Sequence, residues 1–385
     1  MVTGHSIFFL ILYTIDHDLS SYIVAEKVMI IIRLKKSIKS SWKTARRKKE
    51  QKRLIRLIED MIRKSGDAVP ELTASQIAEI REFWGAYGYK DVPLQWHRFY
   101  YAKTGMIRPD FIPAPFFFQD IKPAMNDVGY GAAWSDKAYL DFFLKGTPTV
   151  ECVLRNVNGR WLDADHRLIS EKQAEETLSR FEELVVKPAV DTNTGKGVVL
   201  LRSPFSLEKI KESHGRNFVV QIPIRQHPEM AKLNESSVNT IRVNSVLLQD
   251  EAHVMSAFVK VGQAGAFADN SGHDRRFIGI REDGTYMDYA IDHDYNKYDA
   301  IPSGYDFAGR SVPSFDKICR TVEEAHRKIA RFGFAFWDVC VSESGEPVIV
   351  EMNLKNPDSM VPQVCSGPFF GRYTEEILKF IRGRS

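Results

Sequence analysis

The stretch FWDVCVSESGEPVIVEMNLKNP, residues 336 to 357, sets two apolar runs on either side of a Ser-Glu-Ser-Gly segment. Such runs around a short polar turn predict an antiparallel hairpin. Yet the runs contain Asp338, Glu351 and Asn353. An even-numbered loop centred between Ser344 and Gly345 places Asp338 directly opposite Glu351, with Asn353 as a diagonal neighbour on the same face. Alternation sends Trp337, Val339, Val341, Val348, Val350 and Met352 to the other face, which is expected in the core. Two opposed carboxylates repel, so a cation is expected between them. Two carboxylates and an amide oxygen form an all-oxygen set that suits Mg²⁺ shared with substrate phosphates better than zinc. The competing readings are an ion pair with Lys355 or Arg242, or simple exposure to water.

Upstream, LVVKPAVDTNTGKGVVLLR, residues 184 to 202, reads as two β-rich runs joined by a polar loop containing Gly195, Lys196 and Gly197. The loop is not a Walker sequence, because a β-branched strand follows it where a helix N-terminus would be needed. Its backbone N–H groups could close over phosphates from above, with Lys187 aimed into the same space. A glycine-containing hairpin with a nearby lysine is the ordinary alternative. The segment SDKAYLDFFLKG, residues 135 to 146, predicts a helix capped by Ser135 or Asp136. Tyr139, Phe142, Phe143 and Leu144 would form its apolar side and Gly146 its stop.

Further strands are expected at TVECVLR, GRWLD, NFVVQIPI, TIRVNSVLL, AHVMSAFVKV and RFIGIRE. Helices are expected at TASQIAEIREFWGAYG, EKQAEETLSRFEEL, PSFDKICRTVEEAHRKIARFG and YTEEILKFIRG. Strand meanders with inserted helices indicate an α+β fold and not a doubly wound sheet. A chain of 385 residues, 44% hydrophobic and 27% charged, is ordinary for a globular protein of two or three subdomains. Its four cysteines lie far apart, without a zinc or disulfide pattern, and read as reduced thiols in a cytoplasmic protein.

The net charge of +3 hides an asymmetry, because residues 33 to 56 hold twelve Lys/Arg and one Glu. With Leu34, Ile38, Trp42, Leu54, Ile55 and Ile58 as an apolar stripe, residues 29 to 66 predict a basic amphipathic helix. It packs by that stripe against its own protein, or it lies on an anionic membrane at the inner face. Nucleic-acid binding is disfavoured, because no aromatic sheet motif accompanies the charge. The apolar run SIFFLILYTI is too short to span a bilayer and lacks the flanks of a signal peptide. Residues 1 to 28 are therefore expected to be a non-native extension ahead of a start at Met29.

In order and spacing, these features resemble the ATP-grasp superfamily: a lysine before a glycine-containing strand-loop-strand, then VVQIPIRQHPEM, then a late Asp followed by EMN. NTIRV, WDV and IVEMNLKNP are most similar to its sugar-transfer-associated branch. The resemblance covers roughly residues 130 to 380. It implies two α+β subdomains holding ATP between two antiparallel sheets, at 131–220 and 221–385, behind a helical or mixed N-terminal subdomain at 67–130. It further implies that Lys137 and Lys187 contact the nucleotide, that the Gly195–Gly197 loop closes on phosphates, and that Gln221, Ile222 and His227 contact the nucleoside. Asp338, Glu351 and Asn353 correspond to Mg²⁺ ligands, while Arg242 and Lys260 correspond to catalytic cations. Lys260 stands where relatives carry Arg, and DNSGHDRR departs from their more glycine-rich pattern.

The implied activity is ligation: a small-molecule or glycan-linked carboxylate is phosphorylated by ATP and then attacked by an amine or another nucleophile, in cell-surface polysaccharide assembly. The alternatives are phosphoryl transfer to a hydroxyl, or a non-catalytic nucleotide-binding partner of glycan-assembly proteins.

Overall fold

The computed structural model describes residues 44–64, 69–190, 195–267, 274–355 and 358–383. The chain divides into two compact units, Met1–Leu57 and Ile58–Ser385. In the first, residues 44–57 are helical and mostly exposed, with Arg53 paired to Glu50 one turn away. The expected extension at 1 to 28 and the basic residues from 33 to 43 lie outside the described residues. Among the described residues, no helix is long and apolar enough to cross a membrane.

The second unit is built on two antiparallel sheets. A six-stranded sheet has the order β3-β2-β1-β6-β4-β5, from β1 (Cys152–Val157), β2 (Arg160–Leu162), β3 (Leu168–Ile169), β4 (Glu183–Pro188), β5 (Val199–Arg202) and β6 (Asn217–Gln221). A seven-stranded sheet has the order β11-β10-β9-β8-β7-β12-β13. Its strands are β7 (Ile241–Leu248), β8 (Glu251–Val261), β9 (Arg276–Ile280), β10 (Tyr286–Ile291), β11 (Lys297–Tyr298), β12 (Phe334–Val341) and β13 (Pro347–Asn353). Strands β3, β10 and β11 escaped the sequence reading. The first and last have two residues each, and β10 mixes buried and exposed positions without strict alternation.

Alternation along β12 divides the larger sheet's faces. Ala335, Trp337, Val339 and Val341 pack with Ile349, Met352 and the helix Phe315–Lys328, whose Ile318, Val322 and Ala325 are buried. Phe334 and Phe336 point the other way, into a second core with Trp84, Phe117 and Ile121 of the N-terminal segment and Ile377 of the last helix, Thr374–Gly383. Residues of the segment 67–130, expected as a separate subdomain, thus share a core with the larger sheet. Asp338 lies on this second face, where the aromatic packing ends and a cavity begins.

The hairpin differs from expectation in a way that bears on the site. Ser342 N–H donates to the Glu346 carbonyl at 2.8 Å and Gly345 N–H to the Ser342 carbonyl at 2.9 Å, so the loop is odd-numbered. Val341 pairs with Pro347 and Val339 with Ile349. Continued unbroken, that register would set Asp338 against Val350. A bulge between Val339 and Asp338 restores the opposition of Asp338 to Glu351, and of Trp337 to Met352. Ile349, instead of Val348 and Val350, therefore joins the core, and the latter two are half-buried.

Two helices are shorter than expected. The helix Glu171–Leu178 stops at Ser179, because Leu184 and Val186 are needed in the core beneath β4. SDKAYLDFFLKG folds as a 3₁₀ turn, Lys137–Tyr139, and a four-residue helix, Leu140–Phe143, with Asp136 as the cap. Phe142 is 65% exposed and does not join the apolar side.

Candidate functional site

A cavity of about 1110 Å³ is lined from both sheets. On the larger sheet the site begins as a cross-strand row. Glu351 on β13 faces Asp338 on β12, which faces Arg242 on β7. Opposite charges directly across an antiparallel pair are favourable. Arg242 grips Asp338 with both arms, Nε to Oδ1 at 2.5 Å and Nη2 to Oδ2 at 3.0 Å. Lys260, one strand further on β8, reaches Oδ2 at 2.9 Å, and the Asn353 amide lies 3.5 Å from the same oxygen. Burial alone would raise the Asp338 pKa, but the Arg242 and Lys260 charges and hydrogen bonds outweigh it and hold the carboxyl well below the usual range. Asp338 is therefore ionised throughout the physiological range.

The smaller sheet supplies the other cations. Lys187 on β4 is buried, with its ammonium 3.5 Å from the carbonyl of Val350, beside the bulge of the hairpin. Burial pushes this ammonium down to about 8, and the neighbouring Lys137 charge adds to the effect. Lys137, on the 3₁₀ turn, places Nζ 3.0 Å from Glu351 Oε1 and so bridges the two sheets. The cations in ion pairs with the two acids are thus Arg242, Lys260 and Lys137, with Lys187 close by. The Lys355 backbone carbonyl accepts from the Lys122 ammonium at 2.6 Å.

Of the remaining sequence candidates, Gln221 and Ile222 line the cavity with Pro223 and Ile224. The Ile222 N–H is committed to the Glu151 carbonyl at 3.0 Å, so a purine edge would meet other backbone groups of this segment. Gly195 lines the rim, and Gly195 and Gly197 both adopt left-handed backbone in a turn closed by Val198 N–H to the Gly195 carbonyl. A Cβ on Gly197 would come within 2.9 Å of Pro188, so close approach as well as positive φ requires glycine there. Lys196 is exposed and is not among the lining residues. His227 is not among them either. It precedes the short helix Pro228–Ala231, and its Nδ1 accepts from the Glu229 N–H at 3.2 Å.

The structure adds Thr240, Arg225, Glu182 and Phe267 to the lining. Thr240 could have been found by its two-residue spacing from Arg242, but no sequence signal marked the others. All four cysteines are free, and burial pushes the thiols of Cys152 and Cys319 up to about 11 and about 12, which keeps them protonated.

Among the described residues, no three His, Cys, Asp or Glu side chains cluster as a self-contained metal cage. The Asp338–Glu351–Asn353 set is instead a small, hard, oxygen-bearing face. That composition fits a magnesium ion whose remaining ligands come from phosphates and water.

The sequence matches the family described as sugar-transfer associated ATP-grasp over residues 161–377, more than half of the chain. Solved structures similar to it include an L-amino acid ligase from Bacillus licheniformis, with 14% identity and TM-score 0.37, covering 64% of this chain and 48% of that one. Another is the VanG D-Ala:D-Ser ligase from Enterococcus faecalis, with 14% identity and TM-score 0.40, covering 65% and 61%. A third is the D-cycloserine synthetase DcsG, with 14% identity and TM-score 0.37, covering 66% and 71%. The chain thus spans about half of the length of the first and three fifths of the second. No curated protein matches the chain in sequence. With the family matched over residues 161–377, the chain belongs to the sugar-transfer associated ATP-grasp family.

Proposed function

We propose that the cavity binds Mg·ATP between the two sheets and that the protein is an ATP-dependent ligase activating a carboxylate as an acylphosphate. The observation that carries this reading is the charge of the cavity. Among the described residues, six cationic ones line it (Lys137, Lys187, Arg202, Arg225, Arg242 and Lys260) against four acids (Glu182, Glu183, Asp338 and Glu351). A net positive cleft with low-dielectric walls attracts a polyphosphate and strengthens every contact made to it.

In this reading Gln221 and the backbone of 222–224 receive the base, and Lys137 and Lys187 take the phosphates from the side of the smaller sheet. Asp338, Glu351 and Asn353 would hold Mg²⁺, which when bound neutralises the phosphate oxygens. Arg242 and Lys260 stand on the other side of Asp338. From there they can hold the substrate carboxylate and offset the charge that moves with the γ-phosphoryl group. The protein's contribution is positioning and charge neutralisation, and it needs no covalent side-chain nucleophile. The oxygen of the substrate carboxylate attacks phosphorus, ADP leaves, and an amine or another nucleophile then displaces phosphate from the acyl carbon.

The family's association with sugar transfer supports a carboxylate carried on a sugar or glycan, in surface-polysaccharide assembly at the cytoplasmic side. Calorimetric titration with Mg·ATP, followed by screening of carboxylate and amine pairs for release of ADP and phosphate, tests the proposal. Phosphate release that depends on both partners is expected. ADP formed with a phosphorylated hydroxyl compound would assign phosphotransfer instead, and absence of nucleotide binding would refute the reading.

A further inference from the structure

Arg155 lies outside the cavity, and the family match begins six residues after it. It is fully buried on β1, yet its guanidinium is engaged on every side. Nε donates to the Ala138 carbonyl at 2.8 Å, and Nη1 donates to the carbonyls of Asp163 at 2.8 Å and Ala164 at 3.2 Å. Nη2 meets the Asp141 carboxylate, whose other oxygen lies 3.2 Å from His166 Nε2. A buried charge of this kind is tolerated only where its donors are satisfied, and a hydrophobic residue of similar size would serve packing as well.

Two of the four acceptors of Arg155 lie in the segment just after Lys137, and the other two are carbonyls of the loop after β2. Ala138 and Asp141 are the residues that follow Lys137, and the Lys137 N–H itself donates to the Ala189 carbonyl at 3.0 Å. In the smaller sheet Arg155 pairs with Val219, and Val219 pairs with Lys187, so all three stand in one cross-strand row on one face. Ala138 packs on that row with Val219, Cys152 and Ala189. The turn is therefore fastened across the sheet at its carbonyl by Arg155 and at its N–H by the end of β4. That fastening holds two like charges, Lys137 and Lys187, side by side facing Glu351.

We infer that Arg155 is a positioning residue for nucleotide binding, acting through the turn 136–141 to hold the Lys137 ammonium beside Lys187. The inference rests on the nucleotide reading above, and a double-mutant cycle with a second readout separates the two. In calorimetric titrations of the full chain with Mg·ATP, Arg155→Lys keeps the charge but cannot reach the acceptors on both sides of the turn. It should weaken binding by about tenfold, the loss of roughly one charge-assisted contact. In a Lys137→Met background the same change should have no further effect.

Equal weakening in both backgrounds, or unchanged affinity in Arg155→Lys, would overturn the inference. Backbone hydrogen exchange of the ligand-free protein is the second readout. Arg155→Lys should speed exchange at residues 137–144 while leaving β7 and β12 protected, and unchanged exchange at the turn overturns the positioning role whatever the nucleotide result. Absence of Mg·ATP binding by the wild type, together with faster exchange in the variant, would leave Arg155 as the fastening of the turn and strike out the nucleotide reading alone. Asp141→Asn, which removes the anion but not the carbonyl contacts, replaces Arg155→Lys in the cycle if that variant fails to fold.

Discussion

Asp338 and Glu351 face each other across one hairpin but are embedded differently, so single substitutions should separate their roles. The Asp338 side chain is 7% exposed and held by Arg242 and Lys260. Removing its charge leaves two cations pressed together in a desolvated place, which typically costs about 3 kcal/mol or more. Glu351, at 23% exposure, pairs with Lys137, whose side chain is 7% exposed, so its loss leaves a buried ammonium without its anion, at a site with more water than that of Asp338. Urea unfolding should therefore show both variants destabilised, Asp338→Asn more than Glu351→Gln. Titration with Mg·ATP should show Glu351→Gln weakened by at least about tenfold, since a carboxylate is the principal protein donor to Mg²⁺. Equal destabilisation by both variants would contradict the asymmetry of the row, and unchanged affinity in Glu351→Gln would remove the metal assignment. The opposition of the two carboxylates was expected from an even loop that the structure does not have, and it holds only because of the bulge beside Val339. Their neutralisation was only half legible. Arg242 was one of two named alternatives because its partner strand could not be read locally, and Lys137 arrives from a 3₁₀ turn packed on the other sheet, a distance that no periodicity encodes.

At the level of elements, what the sequence could not express was loop parity. Ser-Glu-Ser-Gly permits even and odd turns, and the odd one is compatible with the site only because a bulge corrects the register at Asp338. The helix Phe315–Lys328 was legible from its apolar stripe, but its polar fastening was not. The Trp337 indole N–H donates to Ser245 Oγ at 2.8 Å, that hydroxyl lies 2.7 Å from His326 Nδ1, and His326 Nε2 lies 2.9 Å from the Phe332 carbonyl. A neutral imidazole completes this chain, with Nε2 carrying the proton and Nδ1 accepting from the hydroxyl. Burial pushes the His326 pKa from 6.5 down to about 4, and that of His97 likewise. Because the folded pKa is the lower one, the unfolded chain binds more protons between the two values. Stability is then complete above pH 6.5 and falls as pH drops toward 4, by about 3 kcal/mol for each histidine. Urea midpoints measured across this window should show the decline, and His326→Gln should flatten it; a midpoint constant from pH 6.5 to 4.5 would contradict the buried neutral pair. A second element-level test concerns the helix Met360–Ser366, which crosses β9 at Gly279. A Cβ there would lie 2.1 Å from the Cys365 carbonyl oxygen. Gly279→Ala must push the helix off the sheet and should cost about 1 to 3 kcal/mol in urea unfolding, whereas Gly265→Ala, with open space around it but positive φ, should cost about 1 kcal/mol.

Across the whole second unit, the two sheets are stitched together by short segments on either side of the cavity. Val150 N–H donates to the Ile349 carbonyl at 3.2 Å, and the next residue's carbonyl accepts from Ile222, so the segment 148–151 touches β13 and the end of β6. His227 N–H donates to the Val341 carbonyl at 2.9 Å and Glu343 N–H to that of Arg225 at 2.8 Å, which returns the chain from the smaller sheet to the hairpin. The N-terminal segment was illegible as a fold for a related reason. Phe117 and Ile121 have no core of their own and are buried against Phe334, Phe336 and Phe369, which come from distant parts of the chain. Between the sheets, beyond these segments, stand the cavity and the Lys137–Glu351 bridge, so a ligand held by Lys187 on one side and Asp338 on the other should couple the two sheets energetically. Mg·ATP at 100 times its dissociation constant should stabilise the folded state by about 2.7 kcal/mol. If the ligand lies between the sheets, the added protection should extend to both. Hydrogen exchange should slow on β4 and β6 as well as on β7 and β12, and Glu351→Gln should reduce both effects at the same nucleotide concentration, to about 1.4 kcal/mol or less. Protection confined to β4 and β6 would place the nucleotide on the smaller sheet alone, and Asp338 and Glu351 would then be a buried ion-pair row with no part in binding it.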